Sequence, residues 1–318
     1  MLLRPLFWTT LPWGIFLLTA AGVALSAKQV PPSGDVVIRS LQDGGGITIR
    51  TTSRLAGAIH SLKWNGKEFI DSHDHGRQLQ SAINLDVGGR MRPETFNPTE
   101  AGSRNDGAGP TSTSRLLHAS ATPNSLKTRT QMAFWLAPDQ SSGGHPARNK
   151  VLLSEHILEK EVTLGYKKMS QVVVYDVTFH LPTNEKHRYA QFEILTGYMP
   201  LGFAKFWALN PADGKLISLS NGFGEQRHPV ILATPSGSHA MGCVTPNVSR
   251  SKGWSGPGYG RFRFKAEKVV KWNTVFRLRN PKRVQPGPYS FRAFVVVGDL
   301  QGVHKDMVRL LKEKSIPL

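Results

Sequence analysis

Apolar and polar residues alternate along much of the chain, which is the pattern of strands that are covered on one face only. The clearest example spans residues 171–181. Its apolar positions are Val173, Tyr175, Val177, Phe179 and Leu181, and its polar positions are Asp176, Thr178 and His180. A second run alternates Ala190, Phe192 and Ile194 with Tyr189, Gln191 and Glu193. We therefore expect strands whose apolar faces pack together.

Turn signals between such runs predict hairpins and an antiparallel arrangement. Asn65-Gly66, inside the alternating stretch 57–70, is a typical hairpin turn. The Gly-rich residues 43–46 separate two short β runs at 36–39 and 47–50. Later strands are expected at 229–234, 239–245, 260–266, 272–279 and 289–298. Many short strands at this spacing predict an all-β fold, an antiparallel sandwich that we expect to form one domain over residues 28–318.

One helix is predicted near the end of the chain. Val303, Met307, Leu310 and Leu311 form an apolar stripe at helical spacing through residues 303–312. We expect this helix to pack across a sheet edge, and a helix that binds a partner is the alternative.

Residues 1–27 have the composition of a signal peptide. Arg4 is their only charged residue, an apolar run extends over 11–24, and small residues at 24–27 offer a cleavage site. An uncleaved N-terminal anchor is the alternative. No later segment resembles a membrane span, so we expect a mature protein that is secreted or periplasmic.

The chain is strongly basic. Forty Lys and Arg residues against 22 Asp and Glu residues give a formal net charge of +18. Such a surface attracts polyanions, but the basic residues are scattered and accompany no RNA-binding motif. We expect a carbohydrate partner, with an acidic glycan as one option, and no nucleic acid. Nucleotide-binding, serine-hydrolase and zinc-protease motifs are absent from the sequence, and no cofactor is expected.

Cys243 is the only cysteine, and it lies in the apolar run 240–244. A buried small hydrophobic side chain is therefore expected there, not a nucleophile. Asn247-Val248-Ser249 matches the short acceptor pattern for glycosylation.

The string GAIHSLKWNGKE at residues 57–68 resembles the opening hairpin of aldose epimerases and their relatives, the galactose-mutarotase-like group. HGR at residues 75–77 resembles the Gly-Arg element that follows this hairpin in the group. The resemblance implies an antiparallel β-supersandwich with a sugar site on its concave face. The group includes epimerases, domains of glycoside hydrolases and polysaccharide lyases, and sugar binders without activity.

Polar side chains of several kinds are concentrated at residues 74–80 and 94–100, where binding and catalytic loops are expected on a sheet scaffold. A solvated loop is the alternative. Sugar hydroxyls need planar polar groups, and a sugar ring needs an aromatic face. The predicted substrate-binding residues are Arg77, Gln78, Gln80, Asn97 and Tyr259. Trp135 and Trp207 are further aromatic candidates, but Trp135 lies in the apolar run 132–136, so core packing is expected there and sugar binding is the alternative.

Catalysis is assigned to His75, Glu94 and Glu100. Proton transfer needs a donor and an acceptor of different proton affinity, and hydrolysis uses two carboxylates. Glu193 and Glu225 are considered as distant second carboxylates. Elimination from a uronic acid needs a residue that neutralises the sugar carboxylate and a base. Hydrolysis and elimination both stay open, and a non-catalytic carbohydrate-binding or envelope-associated protein is the alternative to both.

A metal interpretation starts from His73 and His75, which would share one face of a strand. Zinc needs further ligands, and no motif supplies them, so no metal is expected.

Overall fold

The structure, a computed structural model, describes residues 32–40, 46–246 and 251–313. The predicted signal peptide at 1–27 and the acceptor pattern at 247–249 lie outside these residues. Within them the first ten strands are β1 (Val37–Arg39), β2 (Thr48–Thr51), β3 (Ile59–Trp64), β4 (Lys67–Glu68), β5 (Leu79–Leu85), β6 (Pro98–Thr99), β7 (Arg115–Ala121), β8 (Ser125–Phe134), β9 (Ser141–Ser142) and β10 (His145–Pro146).

The remaining strands include the longest in the chain. They are β11 (Leu153–Tyr166), β12 (Met169–Leu181), β13 (Tyr189–Pro200), β14 (Lys205–Leu209), β15 (Leu216–Leu219), β16 (Gly224–Gln226), β17 (Val230–Ala233), β18 (Ala240–Val244), β19 (Trp254–Phe264), β20 (Val269–Arg279) and β21 (Gly287–Gly298). The helix α1 spans Leu300–Lys312, and short 3-10 helices lie at Ser53–Leu55 and Arg104–Asp106. The predicted all-β antiparallel sandwich with a short C-terminal helix is confirmed.

The strands form two layers of one folded sheet. The front layer has the order β16-β19-β20-β13-β5. The back layer has the order β7-β8-β11-β12-β21-β18-β17-β14-β15. The short strand β6 pairs with β5 on one side and with β8 on the other, so it joins the layers. Every one of these pairings is antiparallel.

The core lies between the inner faces of the two layers. Phe192 of β13 packs on Phe179 of β12 at a ring distance of 5.4 Å, and both are buried. Trp272 of β20 is fully buried nearby, in the same core. Burying a large apolar side chain stabilises a fold by about 1.5–3 kcal/mol, so these alternating positions dictate which face of each strand turns inward.

The helix α1 covers the outer face of the back layer. Val303, Met307 and Leu310 are buried there against apolar residues of β12, β17, β18 and β21. The expectation that the helix packs across a sheet edge is therefore wrong. The reason is that this outer face is itself apolar, with Ile231 and Phe294 among its buried residues. The Asp299 side chain caps the helix by accepting a hydrogen bond from Gly302 N at 2.7 Å.

The outer face of the front layer has no such covering helix among the described residues. Its strands present polar and aromatic side chains on that side. None of the described helices is both long and apolar enough to cross a membrane.

Candidate functional site

His75 connects the loop between β4 and β5 to the two short 3-10 helices, through Arg54 of the first and Gly107 at the end of the second. Its side chain is buried, and both ring nitrogens face backbone carbonyl oxygens. Nδ1 lies 2.8 Å from the oxygen of Gly107, and Nε2 lies 2.9 Å from the oxygen of Arg54. The histidine is thus engaged by the backbone on both sides, and its catalytic role stays a prediction.

Gln78, Gln80 and Asn97 are also buried and also bind backbone groups. Gln80 Oε1 accepts a hydrogen bond from Ala101 N at 2.9 Å. Asn97 Nδ2 donates to the oxygen of Ile83 at 2.8 Å, and Gln78 Nε2 donates to the oxygen of Asp74. These amides fix the two predicted loops to β5. Their contact with a sugar stays a prediction.

Glu100 lies between the layers in an ion pair with Lys160, and both side chains are fully buried. Ser81 N donates to Glu100 Oε2 at 3.1 Å, and Lys160 Nζ donates to the oxygen of Gly57 at 2.9 Å. Burial and the nearby Glu100 charge raise the pKa of Tyr175 well above its ordinary value. The structure places Glu100 away from solvent, and its predicted catalytic role stays untested.

Glu94 and Tyr259 lie apart from that group. Glu94 has a left-handed backbone (φ 66°), and its Oε2 accepts a hydrogen bond from Ser142 Oγ at 2.5 Å. Tyr259 is buried in the core, where its hydroxyl accepts a hydrogen bond from Thr245 N at 3.1 Å. Burial raises its pKa. Tyr259 borders a cavity of about 800 Å³ that Arg77 does not line.

Arg77 lines a cleft of about 380 Å³, within the size range of ligand sites. Three aromatic side chains border the cleft: Trp135, Tyr198 and Phe264. Its charged lining residues are Asp74, Arg77, Arg104 and Glu267. The predicted loop at 74–77 therefore contributes to a cavity that combines ring faces with polar groups.

The Arg77 side chain is held at the wall of this cleft. Its Nε lies 3.1 Å from Asp74 Oδ2. One terminal nitrogen donates to the oxygen of Glu267 at 3.2 Å. The side chain is still 17% exposed, so it retains surface that a ligand can contact.

Gly76 allows Trp135 to reach the cleft. A Cβ atom at position 76 would lie 2.6 Å from Cη2 of the Trp135 ring, closer than atoms pack. The Trp135 backbone is fixed too, since its N donates to the oxygen of Asn97 at 2.8 Å. Trp135 is thus half-buried at the cleft and not packed in the core as expected, and its contact with a sugar stays a prediction. Trp207, by contrast, packs with the apolar residues under α1.

A polar cluster adjoins the cleft on the outer face of β5, β13 and β20. Glu193 is its centre. Three side chains donate to its carboxylate: Thr196 at 3.0 Å, Asn273 at 3.2 Å and Asn84 at 3.4 Å. Lys271 Nζ lies 3.5 Å from Glu193 Oε2 and 5.2 Å from the centre of the Tyr198 ring. Tyr198 also lines the cleft, so it connects the two.

The protonation states of this cluster follow from its contacts. Burial opposes the charge on Glu193, but Lys271 and the hydrogen bonds from Asn273 and Thr196 outweigh it and lower the pKa. Burial likewise opposes the charge on Lys271, but Glu193 and Tyr198 raise its pKa. Burial raises the pKa of Tyr198 despite the nearby ammonium group. At neutral pH the cluster therefore holds a carboxylate, an ammonium group and a protonated phenol, and Glu193 is 15% exposed.

A β-bulge assembles this cluster on one face. The register of β13 against β20 shifts between Glu193 and Leu195. The extra residue lets Thr196 and Tyr198 join Glu193 on the outer side, where Thr196 donates to it. Strict alternation places Gln191 and Glu193 on the polar face of β13 but gives the wrong phase beyond the bulge. The bulge is the reason that the sequence did not predict Tyr198 on this face. Lys271 and Asn273 were missed because only the pairing of β20 with β13 brings them to Glu193.

Cys243 is buried, as expected, and is 3.3 Å from Thr274 Oγ1. Burial raises the pKa of its thiol to about 12, which leaves it protonated and unreactive. Among the described residues, no group of three or more His, Cys, Asp or Glu side chains is arranged to hold a metal ion. His73 is exposed while His75 is buried.

No protein-family model matches the chain, and neither does any curated protein sequence. Among solved structures, a 4-alpha-glucanotransferase from Thermococcus litoralis is similar at 10% identity and a TM-score of 0.41, covering 85% of this chain and 40% of that one. A heparan sulfate lyase, HepC from Pedobacter heparinus, is similar at 9% identity and a TM-score of 0.43, covering 84% of this chain and 35% of that one.

A candidate mutarotase, YeaD from Salmonella typhimurium, is similar at 10% identity and a TM-score of 0.38, covering 86% of this chain and 96% of that one. The chain thus spans two fifths or less of the transferase and the lyase. Because all three TM-scores are below 0.5, these similarities do not assign a function to the chain. The resemblance to the mutarotase-like group stays a prediction.

Proposed function

We propose that the chain is a carbohydrate-active protein that binds an oligo- or polysaccharide on the outer face of its front layer and cleaves a glycosidic bond there. One observation carries the proposal. An ionised, partly exposed Glu193 shares Lys271 with the protonated Tyr198, and Tyr198 lines a cleft that Trp135 and Phe264 border.

The lining matches what a sugar needs. Pyranose rings present flat C–H faces that pack on aromatic rings, and their hydroxyls need planar donors and acceptors. Trp135 and Tyr198 supply ring faces, and Arg77, Asp74 and Asn273 supply polar groups. An apolar ligand would leave those polar groups without partners, which is costly.

The cluster also supplies proton chemistry. The lowered pKa of Glu193 keeps it a carboxylate that can accept a proton, and the raised pKa of Tyr198 keeps it a phenol that can donate one; each shift also weakens the group in that role. In hydrolysis, Glu193 would take a proton from the water that attacks the anomeric carbon, and Tyr198 would give its proton to the leaving glycosidic oxygen. In elimination, Lys271 would neutralise the uronic-acid carboxylate, Glu193 would take the proton from the adjacent carbon, and Tyr198 would protonate the leaving oxygen as the double bond forms. Both reactions stay within the proposal.

A non-catalytic sugar binder is the second candidate, and one observation favours it. Four side chains already contact the Glu193 carboxylate, namely Thr196, Asn273, Asn84 and Lys271. A carboxylate with that many partners is well placed to orient a hydroxyl and less well placed to exchange protons.

The proposal includes export through residues 1–27 and action outside the cytoplasm. An acidic glycan is the preferred ligand class because the chain carries a formal net charge of +18; at the cleft itself Arg77 and Arg104 are matched by Asp74 and Glu267. Attraction to exposed charge is screened beyond about 8–10 Å at physiological salt. Binding of an acidic glycan should therefore weaken with added NaCl more than binding of a neutral one.

The test is a panel of neutral polysaccharides (starch, laminarin, galactan) and acidic ones (alginate, polygalacturonate, heparan sulfate). Binding, new reducing ends and the absorbance of unsaturated products are followed together. Reducing ends alone indicate hydrolysis, and reducing ends with the chromophore indicate elimination. Glu193→Gln keeps the shape of the side chain and removes its charge, so turnover should fall about 100-fold or more.

Glu161→Gln is the matched control. Glu161 is 43% exposed on the back layer and pairs with Lys127 at 3.0 Å, away from the cleft, so this variant should keep full turnover. If polysaccharides of the panel bind but none yields a product, the protein is a non-catalytic sugar binder and not an enzyme. The proposal fails if no polysaccharide binds, or if Glu193→Gln binds and turns over its ligand as the unchanged protein does.

A further inference from the structure

A row of aromatic rings continues from the cleft across the front layer. Tyr198 stacks on Phe264 with ring centres 6.4 Å apart and planes 17° apart. Phe264 and Phe262 lie side by side on β19 at 6.2 Å and 13°. Phe223, in the loop before β16, meets Phe264 at 5.3 Å and Phe262 at 5.6 Å. The row ends at Phe223, which is 64% exposed.

The row crosses four neighbouring strands. Tyr198 belongs to β13, Phe262 and Phe264 belong to β19 with β20 between them, and Phe223 precedes β16. Ring-centre steps of 6.4 Å from Tyr198 to Phe264 and of 5.3 Å from Phe264 to Phe223 bring the end of the row within about 12 Å of Tyr198. Together with Trp135 of the cleft, the row offers more ring faces than a single pyranose ring can cover.

Charged and polar groups accompany the rings along the row. Lys271 Nζ lies 5.2 Å from the centre of the Phe262 ring and the same distance from the Tyr198 ring. Lys271 in turn pairs with Glu193, so the rings are continuous with the polar cluster. An apolar partner surface would bury this ammonium group at a cost, whereas a sugar chain offers it hydroxyl oxygens.

We propose that Phe223, Phe262 and Phe264 form a second saccharide subsite, so that the ligand is a chain of at least two sugar units laid from the Trp135 cleft to the β16 edge. This inference rests on the proposed function. It adds that a free monosaccharide occupies only the cleft, and that longer chains bind more tightly because they also reach Phe223.

The experiment measures affinity by calorimetry in the Glu193→Gln background, which does not cleave its ligand, for two probes: the monosaccharide and the tetrasaccharide of whichever polysaccharide binds in the panel above. Phe223→Ala should weaken tetrasaccharide binding about tenfold, the size of one aromatic contact, and leave monosaccharide binding unchanged. Phe223→Trp keeps an aromatic ring at this position and should bind the tetrasaccharide as the unchanged side chain does. Phe223 is exposed, so both variants should keep the melting temperature of the unchanged protein.

Ile217→Ala is the control, since Ile217 is an apolar residue of β15 with 43% exposure on the other layer. It should change neither affinity. Equal effects of Phe223→Ala on both probes, or no effect on either, would overturn the second subsite while the proposed function stands. Absence of any saccharide binding would overturn both, and the panel identifies that case before any Phe223 variant is made.

Discussion

His156 is a buried histidine whose surroundings keep it neutral. It is 1% exposed and packs against Phe96 and Phe134, whose ring centres each lie 6.4 Å from its own. Burial and the neighbouring His187 lower its pKa to about 4, although Glu185, 3.3 Å from Nε2, acts in the opposite direction. The surroundings of His156 therefore destabilise its protonated, charged form relative to the neutral one.

This makes the stability of the fold depend on pH. Between pH 6.5 and about 4 the unfolded chain protonates this histidine and the folded chain does not, so the unfolding free energy falls as pH falls. The loss attributable to His156 approaches about 3 kcal/mol near pH 4. Urea unfolding at several pH values should show a shallower decline for His156→Gln than for the unchanged protein.

Two other histidines make this prediction specific. His187 has a raised pKa, since its hydrogen bonds with Glu185 and Asp86 outweigh burial. The stabilisation that His187 contributes is complete below pH 6.5 and is lost as the pH rises above that value. His187 therefore does not contribute to the decline between pH 6.5 and about 4. His118 is exposed on β7, and His118→Gln should decline as the unchanged protein does. Parallel curves for His156→Gln and the unchanged protein would contradict the assignment.

The buried ion pair of Lys160 and Glu100 supports a second prediction at the scale of residues. Removing one partner leaves an uncompensated buried charge, which destabilises by about 3–5 kcal/mol. Lys160→Met and Glu100→Gln should therefore each lower the urea midpoint strongly. The double variant Lys160→Met with Glu100→Met should recover much of that loss, because no unpaired charge remains.

This pair also decides how a loss of activity at Glu100 is interpreted. A direct catalytic role requires that Glu100→Gln lose turnover while its unfolding curve stays unchanged. A parallel loss of stability and turnover would indicate a structural role in joining β6 to β11. Unchanged stability in both single variants would contradict the buried geometry.

At the scale of elements, α1 meets the back layer at one close contact. A Cβ atom at Gly242 of β18 would run into the Met307 sulfur and approach Ile231 Cγ1 at 3.1 Å. Gly242→Ala should destabilise by about 1–3 kcal/mol through overpacking, and Met307→Ala by about 2–5 kcal/mol through a cavity. The double variant should lose less than the two effects combined, since the new methyl group fills the vacated space.

Thermal unfolding of the four proteins measures this coupling. Gln301→Ala, at an exposed position of α1, is the control and should melt close to the unchanged protein. Strictly additive losses would mean that the glycine and the methionine do not share this contact.

Elements were the part of the fold that the sequence could predict best. The alternation at 171–181 identified the inward residues of β12, all of which are buried in the core. Asn65-Gly66 was identified as a turn, and both residues have positive φ. The alternation of apolar and polar residues is weaker in β7 and β8, so these strands were harder to predict. The bulge in β13 could not be predicted from the alternation, because it depends on how β13 pairs with β20.

At the scale of the whole molecule, the structure brings some of the predicted site residues to one cleft and separates others, and their role stays a prediction. The 74–77 loop does border a cleft, and Trp135 lies there. Glu193 and Lys271 are 78 positions apart, and only the register of β13 against β20 brings them together. Conversely, Glu100 is near the loop in sequence, but β6 carries it between the layers, where it pairs with Lys160.

The folded sheet has a consequence for the order in which the chain can assemble. β13 pairs with β5, about a hundred residues earlier in the chain, and with β20, about 80 residues later. β12 also pairs with a strand far along the chain, β21. Loops of that length close slowly, so the fold should form slowly compared with sheets built from local hairpins. Until β20 and β21 arrive, β12 and β13 expose long unpaired edges, which are sites for self-association. The chain should therefore be most prone to self-association before these two edges are paired, and its refolding yield should fall as the protein concentration rises.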